Sequence, residues 1–160
     1  KIYARGLWND LRFPVGKIHE DEYVFHRLFS RAEKVVSIED QMYYYRQTPG
    51  SIINKQYNVQ RLDYFGALAD RTKYFLANNL SEEAAMTLTR YFDDLRCKYF
   101  LISNNKETRN KLYEVRKSAR RFFFFFFKIC NDIWTVKFAT LIFLYCPKLY
   151  KFIWLNKKNT

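Results

Sequence analysis

The chain has 160 residues, 28 Lys and Arg against 16 Asp and Glu, a formal charge of +12 and an aromatic content of 20%. That length suits one domain with a usable core, and the basic excess points to an anionic partner, either nucleic acid or a membrane surface. Three cysteines, Cys97, Cys130 and Cys146, are odd in number and form no Cys-x-x-Cys pair, so they read as small hydrophobes in a reducing compartment and not as a disulfide framework or zinc site.

In chain order, residues 3–8 suggest a short helix. Pro14 fixes its own φ and pushes Phe13 towards an extended conformation, and Gly16 permits a tight or left-handed bend. Next comes His19, followed by three consecutive acids, Glu20, Asp21 and Glu22. Val24, Leu28 and Ala32 then recur at helical spacing, predicting a helix over about 20–32 that opens on those acids. Negative charge is favoured at such a position by unpaired N–H groups and the helix dipole, so the acids need no function to be explained. Two β-branched or tyrosine-rich runs, 34–38 and 42–47, read as short strands joined by a turn at Glu39-Asp40. Pro49-Gly50 ends them. Two strands cannot stand alone and need a sheet to join.

Residues 59–104 read as helical. Leu62, Phe65, Ala69 and Leu76 make one stripe, Asn78-Asn79 a stop, and Ser81 an N-cap ahead of Glu82 and Glu83. Leu88, Phe92, Leu95 and Tyr99 continue the pattern as core positions, and Asp93-Asp94 reads as a solvated face. From residue 112 the composition shifts. Arg116, Lys117, Arg120 and Arg121 lead into six phenylalanines, Phe122 to Phe127. Residues 112–160 carry ten basic side chains against Glu114 and Asp132, so ten minus two leaves +8 in this zone. No apolar window reaches the ~20 residues of a membrane-spanning helix; the pattern fits either a tail lying on a membrane surface or the face of a helical bundle.

The ordered set Lys1-Ile2-Tyr3, Leu7-Trp8, Arg12-Phe13-Pro14-Val15-Gly16-Lys17, His19-Glu20-Asp21-Glu22, Tyr43-Tyr44-Tyr45-Arg46-Gln47 and Gly50-Ser51 resembles the C-terminal part of the catalytic domain of family 2 glycosyltransferases. The resemblance implies an α/β fragment, mostly α: the C-terminal portion of a GT-A (Rossmann-like) domain with two short strands over residues 1–58. A helical extension over 59–111 and a basic aromatic helical tail over 112–160 complete this reading. The chain opens on Lys1, inside the matching pattern, and no secretory signal is visible. A fragment of a longer enzyme, inactive alone, is therefore expected.

By the same resemblance Asp21 is the catalytic base and Glu20 orients it or binds an acceptor hydroxyl. His19 lines the site or assists at the phosphates, or else is a surface or packing histidine. Arg46 either reaches phosphate oxygens or pairs with Glu39 or Asp40 at a strand edge. The implied partners are a nucleotide-sugar donor, a sugar or lipid-linked acceptor and an anionic membrane surface. The implied reaction is inverting transfer in bacterial surface polysaccharide synthesis, with a cytoplasmic enzyme peripheral on the inner face of the cell membrane. The complete enzyme would use a divalent metal, Mn or Mg, but its Asp-x-Asp ligands are absent from this chain. Nor does a Gln-x-x-Arg-Trp pattern occur, since Arg46 is followed by Gln47. That favours single-sugar transfer over polymerisation.

The competing class is a non-catalytic, helical, membrane-associated interaction module in which Glu20-Asp21 merely starts a helix. Nucleic acid is not expected, because glycines are few and the phenylalanines clump in one run instead of alternating across a sheet. Nucleotide-binding glycine loops, a Gly-x-Ser-x-Gly elbow and a zinc-helix histidine spacing are all missing.

Overall fold

The structure is a computed structural model that describes residues 2–44, 46, 58–101, 106–131 and 134–155. Its elements are α1 (Glu20–Arg31), α2 (Asp63–Ala77), α3 (Ser81–Lys98), α4 (Lys106–Ile129), α5 (Trp134–Tyr145) and α6 (Pro147–Tyr150). Single 3-10 turns precede α1 at Arg5–Trp8, lead into α2 at Val59–Leu62 and follow α3 at Tyr99–Leu101, and a π-helical turn Lys151–Leu155 follows α6.

Among the described residues there is no strand, so the expected α/β fragment with two short strands, and with it the GT-A assignment, is corrected to an all-helical architecture. Residues 34–44 run as irregular chain. Val35, Val36, Ile38, Met42, Tyr43 and Tyr44 are all exposed. β-branched and aromatic residues favour strands because they pack well on a pleated surface, and no such surface adjoins these. Tyr45 and Gln47 of the second expected strand, the Pro49-Gly50 stop and Ser51 lie outside the described residues.

Helices α1, α2 and α3 lie where the apolar periodicity places them. Phe65 and Leu68 of α2 meet Leu88, Tyr91, Phe92 and Leu95 of α3, all essentially inaccessible to water. Helix α4 adds Leu112, Ala119, Phe122 and Phe126, and α5 adds Phe143 and Leu144, to the same core. Tyr91 is wholly buried, and its Oη donates to the Val115 carbonyl of α4 at 3.3 Å. Asn79, with φ of +59°, turns the chain left-handed between α2 and α3. Ser81 is the first helical residue instead of the cap; Leu80 holds the N-cap position and offers no side-chain hydrogen bond.

The six-phenylalanine run lies wholly within α4, and the helical period divides it. Phe122 and Phe126, one turn apart, are buried, whereas Phe124, Phe125 and Phe127 are exposed.

A smaller core, made of Leu11, Val24 and Leu28 with Tyr3, Leu7, Trp8 and Phe25 around it, holds the N-terminal loop to α1. Helix α1 lies against α2 at Gly66, where any Cβ would collide with Tyr23 Oη. That hydroxyl donates to the Asp63 carbonyl at 3.0 Å. The buried Asp63 carboxylate takes Lys17 Nζ at 3.3 Å from the Pro-Gly loop and Lys111 Nζ at 3.1 Å from α4. One carboxylate thus ties the loop before α1 to the helical bundle.

Candidate functional site

The first turn of α1 carries the residues singled out by the sequence. Gly16 adopts φ of +74°, so the bend after Pro14 is left-handed as expected. His19 is the N-cap of α1 and is itself left-handed, with φ of 59° and ψ of 38°. A non-glycine residue in that region stores about 1–2 kcal/mol of strain and persists only where its surroundings fix it. Here the His19 ring sits edge-on to Tyr64 of α2, with centroids 5.5 Å apart. The Glu22 N–H closes the first turn on the His19 carbonyl at 3.1 Å.

From this strained cap the three acids diverge. Glu20 is exposed. Asp21 is partly exposed, and its Oδ1 accepts the Glu22 N–H at 3.0 Å, which fixes the carboxylate at the helix N-terminus. Tyr3 lies within reach of its charge: burial, and secondarily Asp21, raise the Tyr3 phenol above its ordinary value. Tyr3 Oη is buried, with no hydrogen-bond partner among the described residues.

Glu22 turns the other way. Its carboxylate pairs with Arg71 of α2 and approaches Arg90 of α3 at 3.9 Å, while Arg71 Nη2 also donates to the Glu22 carbonyl at 3.0 Å. Among the described residues no cation pairs with Glu20 or Asp21. Arg46 is exposed and outside any regular element. His19, Glu20 and Asp21 thus stand together at the start of α1, and Arg46 lies in the irregular chain beyond it.

Beyond Glu22, α1 lines a groove of about 720 Å³ with α2 and α3, containing His26, Arg71 and Arg90. Arg27 Nη1 lies 2.6 Å from both His26 Nε2 and Asp70 Oδ2. A guanidinium can only donate, so Nε2 is the lone-pair nitrogen and the imidazole is neutral. Burial first, then the Arg27 and Arg71 charges, push its pKa down to about 4. Sequence reading did not single out His26, Arg71 or Asp63. Arg71 meets Glu22, and Asp63 meets Lys17 and Lys111, across 46 or more residues of chain, and no local spacing marks such pairs.

No family model matches the chain, and no solved structure matches it. A 59-residue stretch is 34% identical to glycosyltransferase GlyG of Streptococcus pneumoniae serotype 4, covering 37% of this chain and 20% of that protein. A 52-residue stretch is 36% identical to glycosyltransferase GlyA of the same organism, covering 32% of this chain and 8% of that protein. The chain has a glycosyltransferase-like segment. The match spans a fifth or less of the length of these relatives.

A divalent ion needs several oxygen ligands converging on one point. Among the described residues no group of three or more His, Cys, Asp or Glu side chains could hold a metal. The acids of α1 do not fit one, because Glu22 is turned away from Asp21 into its arginine pairs. The chemistry open to this segment is that of a fixed carboxylate: accepting a proton from a hydroxyl brought within hydrogen-bond reach.

Proposed function

We propose that this chain is the acceptor-side segment of a family 2 glycosyltransferase, in which Asp21 removes the proton of an acceptor hydroxyl as it attacks a nucleotide-activated sugar. The observation that carries the reading is the divergence at the start of α1. Glu22 is neutralised by Arg71 and Arg90, whereas Asp21 is oriented by a backbone N–H with no cation against it among the described residues. A base needs that combination of fixed position and an available lone pair. The strained His19 cap immediately before the acids adds support, since such backbone outliers cluster at functional sites. Similarity to two glycosyltransferases supports the reaction class.

In this reading Glu20 binds or orients the acceptor hydroxyl, His19 lines the site against Tyr64, and Arg46 approaches the donor phosphates from the irregular chain beyond α1. Donor pocket and metal belong to the remainder of the enzyme. Inversion follows if the acceptor hydroxyl attacks from the face opposite the departing nucleotide. Replacing Asp21 by Asn in the complete enzyme is expected to lower transfer by about two orders of magnitude or more while donor affinity is retained. Transfer at a near-normal rate would remove Asp21 from the mechanism.

An anionic membrane on the inner face of the cell is the proposed platform. The end of α4 and the start of α5 expose Phe124, Trp134 and Phe138, at 71%, 62% and 55%. Lys137 Nζ sits 5.1 Å from the Phe127 ring centroid and 5.8 Å from that of Trp134, so cation and aromatics form one shoulder. Aromatic rings beside basic side chains suit the headgroup boundary of such a bilayer. Among the described residues no helix is long and apolar enough to cross a membrane. The same shoulder is what favours the second reading, a non-catalytic membrane-associated module, which the Asp21 variant separates from the first.

A further inference from the structure

Where α4 passes the junction of α5 and α6, a concave site of about 590 Å³ opens that the proposed glycosyl transfer does not use. Four cations line it: Arg109 and Arg116 from α4, Lys148 from α6 and Lys151 from the turn after it. Arg109 and Arg116 are two turns apart on one face of the helix, with the buried Leu112 between them. No acid lines the site, and among the described residues none of the four cations is in a salt bridge. Like charges gathered in this way oppose one another unless an anion joins them.

The walls are fixed in place. Arg120, one turn beyond Arg116, donates through Nε and Nη2 to the Leu144 carbonyl at 3.2 and 2.9 Å, and its guanidinium stacks over Tyr145 at 4.8 Å. Phe100 stacks on Tyr150 at 6.3 Å, and Lys151 Nζ lies 5.9 Å from the Phe100 centroid. Arg116 Nη1 reaches Tyr99 Oη at 3.4 Å, and its buried Nε has no hydrogen-bond partner among the described residues. The basic mouth therefore stands on an aromatic floor made by Tyr99, Phe100 and Tyr145.

We infer that this site binds a diphosphate ester, with the phosphates held by Arg109, Arg116, Lys148 and Lys151 and the esterified group lying against the aromatic floor. Four cations exceed what one phosphate balances, and guanidinium forks match phosphate oxygens in pairs. The volume is that of a small-molecule site. A nucleoside diphosphate and an isoprenoid lipid diphosphate share this chemistry, and their substituents differ in flatness and apolarity. The inference stands independently of the role of Asp21.

Calorimetric titration of the intact chain with inorganic pyrophosphate, uridine diphosphate and farnesyl diphosphate tests it. The site predicts saturable 1:1 binding of at least one ester, weakening with salt. Arg109→Gln/Lys148→Gln, two exposed positions outside the core, should reduce affinity about tenfold or more, and Lys128→Gln, outside the site, should not. Tighter binding of the farnesyl ester identifies a lipid ligand, tighter binding of the uridine ester identifies a nucleotide, and equal binding shows that the diphosphate alone is read. A second variant, Arg116→Lys, keeps the charge but loses the fork and should weaken binding with the fold intact by circular dichroism. Absence of saturable binding by all three probes, or affinity unchanged in the double variant, would overturn the inference.

Discussion

Two buried or half-buried residues of α1 govern stability in opposite chemical senses. His26 is neutral in the fold, with its pKa pushed from an ordinary 6.5 to about 4 by burial and by Arg27 and Arg71, against a smaller opposing effect of Asp70. Protonating it therefore costs more in the folded chain than in the unfolded one. Its contribution is complete above about pH 6.5 and is lost as pH falls towards about 4, on the order of 2–3 kcal/mol. Urea midpoints at pH 7 and 4.5 should fall further for the native chain than for His26→Phe; equal losses would show that His26 is not the titrating group. Glu22 works as a paired charge. Glu22→Gln leaves Arg71, whose side chain is only 15% exposed, without its anion and should destabilise the chain by about 1–3 kcal/mol in urea titration. A change below a few tenths would mean that water already screens the pair.

Among the elements, α4 shows what a run of identical residues conceals. Phe126 is wholly buried against Phe92, with ring centroids 4.6 Å apart, while Phe124 is 71% exposed two positions away. Phe126→Ala should cost about 3–5 kcal/mol and Phe124→Ala no more than about half a kcal/mol, compared by equilibrium unfolding. Similar costs would show the helix to be rotated from the register described. Helices α2 and α3 were legible in the sequence because Leu62, Phe65 and Ala69, and then Leu88, Phe92 and Leu95, recur at the helical period. The register of Phe122 to Phe127 was not, since six identical side chains carry no periodic signal. The strands expected at 34–38 and 42–47 rested on residue type alone. Propensity of that kind is realised only against a neighbouring strand, and residues 34–44 have none beside them among the described residues. At the site, the turn at Gly16 and the acids opening α1 were readable locally. The fate of each acid was not, because Arg71 and Arg90 reach Glu22 from helices brought near only by the tertiary fold.

The aromatics exposed at the end of α4 and the start of α5 lie within residues 112–160, the stretch that carries +8 of the chain's +12. Removing the chain from Arg116 onward would not isolate an anchor, because Ala119, Phe122, Phe126, Phe143 and Leu144 belong to the main core. Phe124→Ser/Trp134→Ser leaves that core intact. Its flotation with anionic vesicles should drop several-fold relative to the native chain, and both should weaken with salt. Equal flotation would assign the shoulder no part in membrane contact.

In the proposed mechanism the acids opening α1 divide their work, Asp21 in proton removal and Glu22 in holding helices together. Turnover and unfolding midpoint, measured side by side for Asp21→Asn and Glu22→Gln in the complete enzyme, separate the two roles. Asp21→Asn is expected to lose about two orders of magnitude or more in kcat with its midpoint nearly unchanged, while Glu22→Gln loses midpoint first. A Glu22→Gln enzyme that keeps its stability and loses its turnover, beside an Asp21→Asn enzyme that keeps both, would contradict it.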